Sequence, residues 1–245
     1  ATFFYGSNFV VAKDNLTEFG MPVISTWTNS WHGLDAFAEP WNLVLGMAVF
    51  FLARLLGGMY FINNIDNDTI VSRCRRQLVS DTVPFLFFFL AYVIRTLLKD
   101  GFAVIPETQQ IVMEPYKYFN NFVDMPCLLV LFLAGVLLVL YGLLKSILLP
   151  AFRKGIWYSG IGTVLTVLSL LLVAGYNNTA YSPSLADMQS SLTISNSCSS
   201  LFTLKTMAYV SILVPFVLAY IFYAWRAIDR KSITSDEIKN DDHAY

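Results

Sequence analysis

The sequence has too few charged side chains for a protein whose whole surface faces water. Only 13% of its 245 residues are Asp, Glu, Lys or Arg, whereas soluble domains average about 25%. Hydrophobic residues make up 56% of the chain and aromatic residues 16%. This composition is typical of an integral membrane protein. The formal net charge of −1 argues against a nucleic-acid partner, which would need a basic face.

Cysteine and histidine are also scarce, which limits the chemistry that the chain can perform. The three cysteines form no CxxC pair, so neither a disulfide framework nor a zinc site is predicted. Both histidines, His32 and His243, lie outside the long apolar runs. A haem held within a bilayer needs a His, Met or Cys ligand from a span, and the mid-span Met47 and Met59 are more typical of packing. We therefore predict no catalytic, cofactor-binding or metal-binding residue in this chain.

Five apolar runs are long enough to cross a bilayer. The hydrocarbon core needs about 20 mostly apolar residues in a helix, and lipid offers no hydrogen bonds to the backbone. The sequence therefore predicts an all-α integral membrane protein, a single membrane domain over residues 1–245 with five transmembrane helices in a bundle. The predicted spans cover residues 41–62, 82–104, 125–144, 156–176 and 206–225, followed by a tail over 226–245.

Basic residues are distributed unequally between the segments that connect the spans. Segments 63–81, 145–155 and 226–245 carry ten Lys and Arg residues, whereas segments 1–40, 99–124 and 177–205 carry four. Because basic residues favour the cytoplasmic side, we predict an N-terminus outside and a cytoplasmic C-terminal tail. The loop 177–205, which is rich in Ser, Thr and Asn, is then predicted to face outward and to cap the ends of the helices beside it.

Two arginines within the predicted spans are the candidate functional residues. Arg54 lies near the middle of the first span, where it costs about 2.5–3.5 kcal/mol, so its side chain must face protein or water. It could belong to a charge or proton pathway or pair with a cofactor carboxylate. It could equally make a structural bond to backbone carbonyls or to an acid of a neighbouring subunit. Arg95 lies near the outward end of its span and is predicted to anchor the helix at the interface.

Small residues and prolines in the spans predict how the helices pack. The pairs Gly57–Gly58 and Gly160-x-Gly162 are expected to allow close helix–helix contact. Pro215 is expected to kink the last span, because it removes a backbone hydrogen bond. In the polar loop, a hydroxyl of Ser199, Ser200 or Thr203 is expected to cap the start of that span. None of these features indicates a reaction.

The polar loop and the helix after it resemble a known family. The sequence SPSLADMQSSLTISNSCSSLFTLKTM from Ser182, then LVPFVLAYIFYAWR from Leu213 and the terminal DHAY, is similar to the end of subunit II of the cytochrome bd ubiquinol oxidases. EPWNLVLGMAVFFLARLLGGMYF from Glu39 is similar to the fourth helix of that family, and GIWYSGIGTVLTVLSLLLVAGYNN from Gly155 is similar to the helix before the loop. The resemblance extends from about Trp31 to Tyr245.

This resemblance implies a piece of a longer subunit. Members of the family carry eight spans, and the five predicted here match the last five. The first three spans of the family, with polar residues proposed for proton delivery, have no counterpart in this sequence. Residues 1–11 are then expected to be the end of the third helix. No residue of the family's proton route is carried over to this chain.

The resemblance also implies a function and partners. In this family the complex oxidises quinol, reduces dioxygen to water and contributes to the proton gradient across the bacterial cytoplasmic membrane. Subunit I holds the b-type and d-type haems and the quinol site. This chain is then expected to be the non-haem partner of subunit I, in contact with lipid and quinone, with a small single-helix subunit as a further candidate partner. The alternatives are a secondary transporter or channel subunit with Arg54 in its pathway, and a membrane-anchored scaffold.

Overall fold

Long apolar helices account for most of the structure. The computed structural model describes residues 2–12 and 24–228; the predicted tail beyond residue 228, with His243, lies outside the described residues. The helices are α1 (Thr2–Tyr5), α2 (Pro40–Asn64), α3 (Asp68–Leu98), α4 (Lys117–Asp124), α5 (Pro126–Leu148), α6 (Gly155–Gly175) and α7 (Leu201–Ile228). Five of them, α2, α3, α5, α6 and α7, are long and apolar enough to cross a membrane. The predicted all-α membrane fold class is confirmed.

Two short antiparallel hairpins lie at one end of the bundle. Strand β1 (Phe9–Ala12) pairs with β2 (Ile24–Trp27), and β3 (Gly101–Val104) pairs with β4 (Ile111–Glu114). Short 3-10 helices cover Leu34–Ala38 and Met188–Ser190. We call this side of the molecule, with residues 101–116 and 177–200, the loop end. The opposite side, with residues 65–67 and 149–154, is the basic end.

The polar loop fastens both hairpins to the helices. The side-chain amide of Gln189 donates to the Ile111 carbonyl at 2.8 Å and accepts from the Ile111 N–H at 3.0 Å, which ties the loop to β4. The Val11 N–H of β1 donates to Ser190 Oγ at 3.0 Å. Ser200 caps α7, since its Oγ accepts from the Thr203 N–H at 3.3 Å. The predicted cap at Ser200 is confirmed, and the loop has a wider role than capping.

Helices α5 and α6 approach each other at their backbones. A Cβ atom added at Gly162 would lie 2.6 Å from the Gly135 carbonyl oxygen and 2.7 Å from the Val139 nitrogen, both of them backbone atoms on α5. Gly162 therefore has the predicted contact role. Gly160 does not, because a Cβ added there meets nothing within 4 Å. Small residues let membrane helices pack this closely where lipid tails provide no hydrophobic drive.

Helix α2 packs along α3 in the same way that α5 packs along α6. Gly58 lies against Leu78 of α3, because a Cβ added at Gly58 would lie 3.1 Å from the Leu78 side chain. A Cβ added at Gly57 would meet nothing within 4 Å. Buried apolar side chains from α2, α3 and α5 form one core cluster: Leu55, Met59, Ile62, Val71, Leu78, Phe85, Val139 and Leu143. A second cluster lies nearer the loop end. Helix α7 joins neither, since it has no buried residue.

The second span differs from its prediction at its start. The prediction placed residues 63–81 in a loop, but α3 begins at Asp68. Asn67 caps it, accepting from the backbone N–H groups of Thr69 at 3.0 Å and Ile70 at 3.2 Å. Three arginines at positions 73, 75 and 76 made this stretch look like a loop, although arginine is a good helix former. The charged turns extend the helix at the basic end.

The second span also ends earlier than predicted. The prediction extended it through Val104, but α3 ends at Leu98 and residues 101–104 form β3. Gly101 packs so tightly on Lys117 that an added Cβ would lie 2.6 Å from the Lys117 Cβ. Pairing with β4 provides backbone hydrogen bonds for residues 101–104 without a helix. Residues 1–11 were likewise expected to be helical. Among the described residues of this stretch the helix covers Thr2–Tyr5, and β1 begins at Phe9.

Candidate functional site

An ion pair joins the first two spanning helices. Arg54 Nε of α2 donates to Asp81 Oδ2 of α3 at 2.9 Å. Gln77, one turn before Asp81, donates from Nε2 to the other carboxylate oxygen at 2.8 Å. The Asp81 side chain is only 5% exposed, whereas that of Arg54 is 43% exposed. The carboxylate is therefore held inside the protein, and the arginine reaches it from the helix surface.

The geometry of the hairpin brings these residues together. Only residues 65–67 separate α2 from α3, so the two helices run antiparallel. Arg54 lies ten residues before the end of α2 and Asp81 thirteen residues after the start of α3. At 1.5 Å per residue both lie about 15–20 Å from the connection. Gln77 and Asp81 are four residues apart and therefore share one face of α3.

This pair supplies the partner of Arg54 that the sequence left open. The sequence-based alternatives were a charge or proton pathway, a cofactor carboxylate, backbone carbonyls, and an acid of a neighbouring subunit. None of them was an acid of the same chain. Asp81 was missed because the prediction assigned it to a loop. The signal that would have found it is the sequence QLVSD, residues 77–81, which places an amide and a carboxylate one turn apart at the depth of Arg54.

Arg95 lies in a separate environment near the loop end. It is fourteen residues beyond Asp81 on the same helix, which corresponds to about 21 Å along α3. Its guanidinium carbon lies 5.8 Å from the ring centroid of Trp41, the second residue of α2. An arginine over a tryptophan ring is a favourable cation–π contact. The two candidate arginines therefore do not form one site, and interfacial anchoring by Arg95 stays a prediction.

Lys99 lies one turn after Arg95, at the end of α3, and its side chain is partly buried. Its Nζ donates to the Phe4 carbonyl and lies 4.3 Å from the ring centroid of Tyr5. Burial, with a smaller contribution from Arg95, lowers the pKa of Lys99 to about 8, against partial opposition from Glu39 and Asp100. The amine therefore changes charge close to physiological pH.

This lowered pKa predicts that the protein becomes more stable between about pH 8 and pH 10.5. In that range the unfolded chain keeps the Lys99 proton and the folded chain has lost it, so stability rises with pH. The slope from one such group is at most about 1.4 kcal/mol per pH unit. Unfolding of the wild type and of Lys99→Met, measured across this range, should show a shallower slope in the variant. Equal slopes would contradict the assignment.

The described residues contain no cluster of metal-binding side chains. Within residues 2–12 and 24–228, no group of three or more His, Cys, Asp or Glu side chains could hold a metal ion. Met59, the buried methionine of α2, has its sulfur 3.5 Å from Ser159 Oγ, which donates to it. Met47 is 41% exposed on the helix surface. The Met59 thioether thus packs inside the protein, whereas Met47 lies at the surface. That this chain holds no cofactor stays a prediction.

The fold and the charged pair define a multi-pass helical membrane protein whose first two spanning helices are joined by an ion pair. Comparison with known proteins gives the family. The model of the family described as cytochrome bd terminal oxidase subunit II matches residues 1–228, and the chain belongs to this family. The sequence-based resemblance is confirmed.

Individual relatives agree with this assignment. The chain is similar to cytochrome bd-I ubiquinol oxidase subunit 2 of Escherichia coli strain K12 and of Escherichia coli O157:H7. Each is 30% identical over 156 residues, which is 62% of this chain and 39% of the relative. The chain therefore spans well under two thirds of the length of these relatives.

Proposed function

We propose that this chain is the non-haem partner within a cytochrome bd-type quinol oxidase of a bacterial cytoplasmic membrane. The complex would oxidise quinol and reduce dioxygen to water, as a proton-translocating oxidoreductase. A second subunit would supply the haems and the quinol site. The observation that carries the proposal is the family match over residues 1–228. The described spans, which contain no histidine, support the same division of labour.

The distribution of buried surface supports a role in assembly. Helix α7 spans 28 residues without a single buried one, and 43% of the Arg54 side chain is exposed at the surface of α2. A guanidinium at this depth is costly against lipid. A neighbouring subunit would cover such a surface and give the arginine polar contacts. The chain would thereby shield the haem-bearing subunit from lipid on one side.

The transporter alternative has no comparable support. A pathway through Arg54 would need polar side chains leading to it. The cavity between α2, α3, α5 and α6, of about 90 Å³, is instead lined by apolar side chains apart from Thr163 and Thr166. Thr163 and Thr166 both donate to carbonyls one turn earlier on their own helix, each at 2.8 Å. The hydroxyls of Thr163 and Thr166 therefore already make hydrogen bonds within α6.

Purification of the chain with and without a haem-bearing subunit tests the proposal. We expect the chain alone to show no Soret absorption band, because its described spans contain no histidine. Expressed in its native host with an affinity tag, it should co-purify with a haem protein and with quinol-dependent oxygen consumption. A strong Soret band from the isolated chain, or recovery from the native membrane with no haem protein attached, would contradict the assignment.

A further inference from the structure

The core cluster at the loop end contains four buried hydroxyl groups that lack a hydrogen-bond partner among the described residues. They belong to Tyr5 of α1, Tyr92 and Thr96 of α3, and Tyr118 of α4. The residues are 8%, 1%, 2% and 0% exposed, respectively. They come from three different elements, and Tyr92 and Thr96 are one turn apart on α3.

The side chains that carry these hydroxyls pack together. The ring centroids of Tyr5 and Tyr92 are 5.8 Å apart, and the Phe4 ring contacts both Tyr92 and Tyr118, with centroid distances of 6.3 Å and 5.0 Å. Thr96 lies near the Tyr5 hydroxyl and opposes the rise in the Tyr5 pKa that burial causes. Even so, no pair of these groups meets the distance and angle of a hydrogen bond.

Lys99 adds a charged donor to the same cluster. Its Nζ lies over the rings of Tyr5 and Tyr118, at 4.3 Å and 6.0 Å from their centroids. An ammonium has three N–H donors, and the Phe4 carbonyl accepts one of them. The charged groups that face Lys99 are Arg95 on its own helix, Asp100 beside it and Glu39 before α2. Ammonium and hydroxyl groups thus meet inside a layer of aromatic rings.

Buried polar groups in folded proteins are nearly always paired, with protein or with ordered water. An internal water requires two to four polar partners. The four hydroxyls, together with the Lys99 N–H groups that do not bond to Phe4, provide enough partners for bound water. Hydroxyls can both donate and accept, which matches water better than an ion that only accepts. An apolar occupant would leave all of these groups unpaired.

We propose that Tyr5, Tyr92, Thr96, Tyr118 and Lys99 bind a small cluster of internal water at the loop end. The water would link the hydroxyls of three elements and would hydrate the ammonium of Lys99 behind the aromatic rings. Lys99 could then exchange its proton with water from within the protein. This inference does not depend on the proposed oxidase role, because it rests only on contacts inside the chain.

Radiolytic footprinting tests the proposal, since hydroxyl radicals form wherever water is bound. The protein, purified with any subunit that accompanies it, is exposed to millisecond X-ray pulses, and oxidised side chains are quantified by mass spectrometry. We expect Tyr92 and Tyr118 to be oxidised several-fold faster than Phe85, which lies on α3 in the apolar cluster and is 5% exposed. Their rates should approach that of Tyr116, which is 51% exposed. Protection equal to that of Phe85 would overturn the proposal.

A matched pair of variants gives a second readout. Thr96→Val keeps the shape of the side chain and removes one of the four hydroxyls. If water is bound, this variant should lower the labelling of Tyr92 several-fold and lower the unfolding temperature. In a dry site it would remove an unpaired polar group and raise the unfolding temperature, which would overturn the proposal. Thr163→Val is the control, because the Thr163 hydroxyl is paired with the Ser159 carbonyl at 2.8 Å, and it should leave Tyr92 labelling unchanged.

Discussion

Replacement of Arg54 by leucine should destabilise the folded protein by about 3 kcal/mol, the lower end of the cost of breaking a buried ion pair, because it leaves a buried carboxylate without its counter-charge. The charge left behind is the Asp81 carboxylate, which is 5% exposed and accepts from Arg54 Nε at 2.9 Å. The effect of Asp81→Asn should be smaller. Its amide stays close in shape to the carboxylate, and the amide oxygen can still accept a hydrogen bond from Arg54 Nε.

The double variant Arg54→Leu with Asp81→Leu is the internal control. Replacing a buried pair by apolar residues of similar size is often neutral, so the double variant should be clearly more stable than Arg54→Leu alone. Unfolding of the wild type, Arg54→Leu, Asp81→Leu and the double variant in mixed micelles, followed by tryptophan fluorescence, gives the four stabilities of the cycle. If the effects of the two single variants simply add in the double variant, the two side chains do not interact and the assigned pair is wrong.

Replacement of Gly162 by alanine should destabilise the protein by about 3 kcal/mol, at the upper end of the usual cost of overpacking. The new methyl group would meet the Gly135 carbonyl oxygen at 2.6 Å and the Val139 nitrogen at 2.7 Å. Both are backbone atoms that cannot rotate away. Helices α5 and α6 would have to separate along their contact, and the packing of the neighbouring turns would be lost with it.

Gly160→Ala is the matched control for this prediction. It makes the same chemical change two residues earlier on the same helix, where an added Cβ has nothing within 4 Å. Alanine is favoured over glycine in a helix by about 0.5–1 kcal/mol, so this variant should be neutral or slightly stabilising. The same unfolding assay compares the two. Similar losses of stability for both variants would show that the contact between α5 and α6 is not what Gly162 provides.

The number of spans could be predicted from the sequence, because a long apolar run in lipid can satisfy its backbone hydrogen bonds only as a helix. A stretch such as residues 126–148 must form a helix to satisfy its backbone, and no tertiary contact is needed to reach that conclusion. The family could also be inferred, because the loop and helix motifs follow one another in this sequence in the order typical of the family. These features depend on local sequence.

The ends of α3 could not be predicted, because they depend on contacts with distant residues. The first turns of α3, after Asp68, are charged and precede its apolar stretch. A prediction from hydropathy alone therefore leaves them out of the helix. Beyond the other end of α3, Gly101 lies against Lys117 and pairs with Glu114 in the β3–β4 sheet. Strands of four residues carry too little pattern to be recognised without their partners.

For the same reason, only one partner of the ion pair, Arg54, could be identified from the sequence. Arg54 stood out because it interrupts an apolar run. Asp81 did not, because it lies where the charged turns of α3 give way to the apolar ones. Its burial depends on α2 lying beside it and on Gln77 donating to its second oxygen at 2.8 Å. An acid at the margin of a span is therefore worth matching by depth against any base on the preceding span.

The pairing of Arg54 with Asp81 also bears on how the chain enters its membrane during synthesis. Twenty-seven residues separate the two charges, so the first helix leaves the ribosome well before its counter-charge does. Each segment alone would carry an ion into hydrocarbon, whereas the two together carry a neutral pair. We therefore expect the translocon to retain the earlier helix until the later one arrives, and to release both sideways into the bilayer as one hairpin.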